Sequence, residues 1–194
     1  MEINFEKRYL LVYTLILATI HHITININSI FENAIKSIWP IDAIVLVITL
    51  LFLSIFTRNQ KQRISLGILY RKTPFEKASQ YVENDERIDL NNIKVKNLKN
   101  ISNKKFYNIY YKAVRDIKSV ETKNSEYCVV RDIVFTIFIM VILLIILTSI
   151  WPQQFYRELI AGIVAYIIGA IACNMKAKEF VSQIVAEFIN KEEN

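Results

Sequence analysis

Four apolar stretches, 9–25, 38–56, 133–150 and 159–173, pair as two hairpins on either side of a polar, charged middle. A helix needs about 17–25 mostly apolar residues to cross a bilayer. Backbone polar groups in lipid must be satisfied within the segment, which leaves helices or closed barrels as spanning structures. The expected architecture is therefore an all-α integral membrane protein of four transmembrane helices. A cytoplasmic insertion, mainly helical with room for some strand, separates the hairpins. The expected divisions are a first hairpin (1–57), a basic domain (58–130), a second hairpin (131–174) and an amphipathic helix (175–194).

Charge sets the expected topology. From Arg58 to Arg131 the chain holds 17 of its 24 Lys/Arg but only 8 of its 18 Asp/Glu. The connections 26–36 and 153–158 each carry one basic and one acidic residue. Basic segments beside spans stay on the cytoplasmic face, so the middle segment and both termini are placed there. Lys7 and Arg8 precede the first apolar run as in a signal peptide. No small-residue cleavage site follows, so an uncleaved first span is expected. Cys128 and Cys173 form no framework and lack metal-ligand spacing.

Ser37-Ile38-Trp39-Pro40 recurs as Ser149-Ile150-Trp151-Pro152, one copy per hairpin. Tryptophan favours the membrane–water interface, so both copies mark the outer face. The third stretch is apolar on every side and is expected to meet lipid. The fourth holds Gly162, Ala165, Gly169 and Ala172 at helical spacing. Small residues let helices approach closely in lipid. The stripe serves packing within the chain, or a subunit interface or pore. Beyond it, Asn174, Val181, Ile184 and Phe188 continue the seam, either as a short coiled coil between subunits or as an amphipathic helix docked on the middle segment. His21 and His22 point to different helix faces. They read as interfacial residues or as a water-facing site.

In the middle segment, 64–70 reads as a strand or as a helix continuing the second span, and Pro74 ends it. Residues 84–103 read as a loop. Residues 102–120 read as one helix with Ser102 as N-cap. Phe106, Ile109, Tyr110, Ala113, Ile117 and Val120 share its apolar face. Lys104, Lys105, Tyr111, Lys112, Arg115 and Lys118 share the other. Basic residues attract phosphates, and an aromatic ring offers a base a stacking surface. The same face equally suits solvent or anionic lipid. Arg58, Lys61, Arg63 and Arg131 sit at span ends, where oligomerisation turns each into a ring of charge. Arg131-Asp132 otherwise reads as a paired charge anchoring the third span.

No metal, phosphate-loop or nucleophile motif is present, so neither an enzyme nor a cofactor is expected. Two function classes remain. One is an oligomeric channel or membrane-disrupting effector. The other is a membrane anchor recruiting a partner or anionic lipid through its basic segment. A lone four-helix bundle has no aqueous path, so a pore requires closed symmetry, with a tetramer favoured. A transporter would show broken helices and charged midplane sites, which are missing.

The hairpin layout, the chain length, the basic segment and the run from Asn124-Ser125-Glu126-Tyr127 to Arg131-Asp132 resemble the four-helix membrane effectors of nucleotide-signalling anti-phage systems. The similarity is greatest to the effector of the Hailong system. The resemblance implies a tetrameric channel held shut by single-stranded oligodeoxyadenylate from a partner nucleotidyltransferase. Loss of the ligand during infection would open the pore and depolarise the host. It also implies that Arg58, Lys61, Arg63, Lys104, Lys105, Tyr111, Arg115 and Arg131 dock the DNA. Similar effectors of type III CRISPR systems answer to cyclic oligoadenylate.

Overall fold

The computed structural model describes residues 55–67, 72–83, 85–88, 97–150 and 152–193. The first apolar stretch, nearly all of the second, His21, His22, Trp39, Pro40, Trp151 and residues 68–71 and 89–96 lie outside the described residues. Among the described residues the regular structure is all helical and contains no strand. The helices are α1 (Arg58–Ser65), α2 (Ala78–Val82), α3 (Asn103–Phe106), α4 (Lys112–Val114), α5 (Lys118–Ile150) and α6 (Pro152–Glu193). A 3₁₀ turn, Phe75–Lys77, leads into α2, and a π turn, Tyr107–Tyr111, joins α3 to α4.

Among the described residues two helices are long and apolar enough to cross a membrane: α5, with 33 residues, and α6, with 42. Of the most apolar window in each, 39% is buried within the chain for α5 and 6% for α6. The core helix of a soluble protein is mostly buried, and neither helix meets that description. The third stretch, expected to meet lipid for want of a polar face, buries Val134, Phe135, Ile139, Met140, Val141 and Leu144 within the chain. Ile142, Ile145, Ile146 and Ile150 are exposed. Composition alone cannot mark which apolar side packs inward.

The chain divides into two compact units, one of residues 1–58 with 133–166, the other of 59–132 with 167–194. In the first unit, α5 and α6 meet at Gly162. A Cβ on this glycine would lie 3.2 Å from Val141 Cγ2 and 3.4 Å from Leu144 Cδ1. Phe138 packs on Tyr166 with ring centroids 5.5 Å apart, and Phe56 meets Phe135 edge-on at 5.1 Å. Pro152 starts α6, where a missing N–H costs nothing. Ser149 turns its hydroxyl back to the Ile145 carbonyl, 2.8 Å away.

The second unit has an aromatic core. Phe75 stacks on Phe106 at 4.6 Å and Phe106 on Tyr110 at 5.1 Å. Tyr110 packs on Phe188 at 4.8 Å, and Phe180 lies parallel to Tyr127 at 5.8 Å. Aromatic pairs of this kind are each worth roughly 0.5–1.5 kcal/mol beyond the area they bury. Leu66, Val82, Leu98, Val114, Val120, Ala177, Val181 and Ile184 close the core around them.

Local chemistry explains how the short elements begin and end. Helix α1 stops at Gly67, whose φ of 109° is open to glycine and strained for other residues. The last part of the element expected over 64–70 lies outside the described residues, and Pro74 stands after it. It opens the next one: Glu76 accepts from both the backbone N–H (2.7 Å) and the hydroxyl (3.0 Å) of Thr73, so Thr73-Pro74-Phe75-Glu76 is a helix start. Ser102 caps α3 as its residue type predicts, accepting from Lys105 N at 3.3 Å. The single helix expected over 102–120 is instead divided by the π turn and by a turn before Lys118.

Candidate functional site

Two groups of basic residues differ in what their cationic ends touch. Lys123 and Lys176 belong to a closed ring with Glu126 and Glu179. Lys123 reaches Glu179 at 2.9 Å and Glu126 at 3.3 Å, and Lys176 reaches the same two at 2.9 and 3.2 Å. The hydrogen bond to Glu179 holds each lysine above its ordinary range. Burial works against ionisation of Glu126 and Glu179, but the lysines outweigh it and keep both carboxyls below their ordinary values. Arg87 grips Asp85 through Nε and Nη2, at 2.9 and 2.8 Å. It also donates to Gln183 at 2.8 Å, and Gln183 and Ser119 both donate to Glu187. Lys191 donates to the Ala113 carbonyl at 2.9 Å. These cations tie α5 and α6 to the segments packed on them.

A second group is exposed and makes no side-chain ion pair with any of the described residues: Lys99, Lys104, Lys105 and Lys112. All four lie within 97–112, beside the π turn. Arg115 is also exposed, with its charge shared by Asp116 at 3.4 Å. Arg58 and Arg63 are exposed on α1, and Lys61 is half-buried.

Two of the predicted ligand residues do not reach this surface. Arg131 is only 8% exposed; its Nε and Nη2 donate to Asp132 at 2.9 and 3.1 Å, and its buried Nη1 has no hydrogen-bond partner. The pairing with Asp132 is the alternative that the sequence left open. Its backbone carbonyl accepts from Ser65, at 2.7 Å. Tyr111 is half-buried, against Tyr107 at 5.4 Å, Phe180 at 5.7 Å and Phe75 at 6.0 Å. The π turn is the cause. Its extra residue rotates the following helix, which brings Tyr111 toward the core, places Val114 in it and leaves Ile109 50% exposed.

The residues proposed for a pore or subunit seam also separate. Gly162 faces Val141 and Leu144 of its own chain. Ala165 and Ala172 are exposed, and Gly169 is half-buried. Around them Ile160, Ile163, Val164, Ile167, Ile168 and Ile171 are each at least 40% exposed. Val181, Ile184 and Phe188 are buried in the second unit, and Asn174 accepts from the Tyr81 hydroxyl at 2.7 Å. Between the two sequence readings of this seam, the structure has the helix docked on the middle segment.

Sequence reasoning missed Asn97, Lys99 and Asn100. They border an open cleft of about 500 Å³ that is also lined by Ile101, Lys105, Ile109, Tyr110 and Phe188. Only the polar run before Ser102 hinted at it, and that run reads equally as plain loop. Among the described residues no three His, Cys, Asp or Glu side chains lie close enough together to hold a metal ion. Compared with known proteins, the chain matches no family model, no curated protein and no solved structure.

Proposed function

We propose that the protein is an oligomeric ion channel of the bacterial inner membrane, gated by a short single-stranded oligonucleotide and acting as an effector of anti-phage defence. On this reading four spans per chain assemble, with a tetramer favoured, and the ligand made by a partner nucleotidyltransferase holds the pore shut. The observation that carries it is the combination of an unpartnered apolar surface on α6 with unpaired lysines at 97–112. Apolar patches of this extent mark lipid or protein contact. Lysines left without acidic partners, next to others that are fully paired, are available to phosphate.

The test is conductance across a planar bilayer containing the purified protein, with short oligodeoxyadenylate added on the side of the middle segment. Current suppressed by the oligonucleotide supports the ligand-closed channel. Current indifferent to it keeps the channel and removes the ligand. No current under any condition leaves the second reading, a membrane anchor that recruits a partner or anionic lipid. That alternative is favoured by Tyr107 and Ile109, which stand 40% and 50% exposed among the lysines.

A further inference from the structure

The cleft beside the π turn has the chemistry of a specific site rather than of a diffuse basic surface. Its volume of about 500 Å³ lies within the roughly 300–1,000 Å³ usual for small-molecule sites. Lys99 and Lys105 line it, and neither ammonium has an acidic partner among the described residues, whereas Lys123, Lys176 and Lys191 are engaged. The side chains of Asn97 and Asn100 are exposed and make no hydrogen bond among the described residues, so each offers both a donor and an acceptor. Ile109 supplies an exposed apolar flank and Tyr110 a buried floor.

Two departures from regular backbone converge here. Asn100 has a φ of 61°, which side chains other than asparagine or aspartate rarely adopt. The π turn Tyr107–Tyr111 supplies Ile109 and Tyr110. Such irregularities cost stability and concentrate at functional sites. We infer that the cleft binds one nucleotide unit, with Lys99 and Lys105 on the phosphate ester, the Asn97 and Asn100 amides on the edge of the base, and Ile109 against its face. This assignment rests on the oligonucleotide reading above and gives that reading a defined docking point. The phosphate of an anionic lipid headgroup shares half of this chemistry but has no ring edge for the two amides to read.

The experiment uses the full chain in nanodiscs of neutral phosphatidylcholine and two probes, fluorescein-labelled single-stranded hexadeoxyadenylate and a fluorescent ATP analogue. Binding is read by anisotropy across a salt series. Lys99→Ala/Lys105→Ala should weaken binding of both probes about tenfold or more and lower the salt slope for the hexamer by about 0.7, as expected for the loss of one single-strand phosphate contact. Asn100→Gly, which keeps the backbone angle and removes the amide, should weaken both probes with no change in slope. Lys72→Ala/Lys178→Ala removes the same charge elsewhere and should leave the affinity nearly unchanged.

Equal losses in the two lysine pairs would overturn the cleft and leave the oligonucleotide reading standing. If the ATP analogue binds and is lost with Lys99 and Lys105 while the hexamer never binds, the cleft stands and the oligonucleotide reading falls. Failure of both probes to bind the wild type overturns the cleft. In that case, retention of the protein on anionic vesicles through the same two lysines would assign the phosphate to lipid.

Discussion

Arg131 shows how a residue can look like a binding group in sequence and act otherwise in the fold. A buried donor without a partner costs about 1–3 kcal/mol, and Nη1 of Arg131 is such a donor. Tyr127, one helical turn earlier, buries an unpartnered hydroxyl as well, and burial holds its phenol well above the ordinary range. Replacing a whole buried ion pair with apolar side chains of similar volume is often neutral or stabilising, whereas removing one partner alone costs about 3–5 kcal/mol. Arg131→Met should therefore lower the midpoint of a thermal melt by taking the guanidinium from the Asp132 carboxylate, and Arg131→Met/Asp132→Leu should recover much of the loss. A double variant as unstable as the single one would show that the pair itself is not what the single variant breaks. Phe180 is the opposite case. It touches Phe75, Tyr111 and Tyr127 and is 1% exposed. Phe180→Ala should cost about 3–5 kcal/mol, read as a lower midpoint of denaturant unfolding. The pairing of Arg131 with Asp132 was one of the readings the sequence offered, but the burial of Arg131 and the role of Phe180 were not legible beforehand. Sequence places Arg131 at a span end, where accessible and buried arginines look alike. Phe180 did not enter the seam picked out by spacing, because heptad counting selects one stripe and the core takes a wider arc.

At the scale of elements, the ring that links α5 and α6 predicts a definite pH response. Glu126 and Glu179 are held below the ordinary glutamate value of 4.5, so the stability they contribute is complete above that pH and is lost as pH falls through their folded values. Asp85 behaves alike, chiefly through its hydrogen bond from Arg87. Lys123 and Lys176 are held above 10.5, so their contribution is complete below that pH and is lost as pH rises through their folded values. The ring is partly exposed, and each pair is worth about 1 kcal/mol or less. Thermal melts from pH 7 to 3 should show wild-type stability falling below about pH 4.5, with a flatter fall in Glu126→Gln/Glu179→Gln. Parallel curves would show that the ring adds nothing. Ser102→Ala should cost about 1 kcal/mol in the same assay. The Ser102 cap and the long apolar helices were legible because cap chemistry and hydropathy are local signals. The π turn was not: Phe106, Ile109, Tyr110 and Ala113 satisfy the ordinary helical period, and only packing of Val114 against the core selects the wider turn.

At the scale of the whole molecule, Gly162 and Gly169 separate two uses of the small-residue stripe. Gly162→Leu should impair the chain itself, lowering its thermal midpoint, because Val141 and Leu144 already stand at contact distance from a Cβ. Gly169→Leu, on the channel reading, should leave the monomer's melt nearly unchanged and abolish assembly and conductance. Wild-type currents from Gly169→Leu would remove the fourth stretch from the pore. The sequence could not divide the stripe this way, since spacing reports a shared face and says nothing of what lies opposite each position.

The second unit is assembled from parts far apart in the chain, 59–132 and 167–194. Its aromatic core joins Phe75, Phe106 and Tyr110 to Phe180 and Phe188. Because synthesis runs in one direction, the earlier three rings leave the ribosome well before the later two, with α5 and the first part of α6 translated in between. The middle segment must then wait, its core unfinished, until the end of α6 has been made. Phe188 also lines the cleft, so a nascent chain has no complete pocket, and the cleft closes into shape only with the last turns of α6.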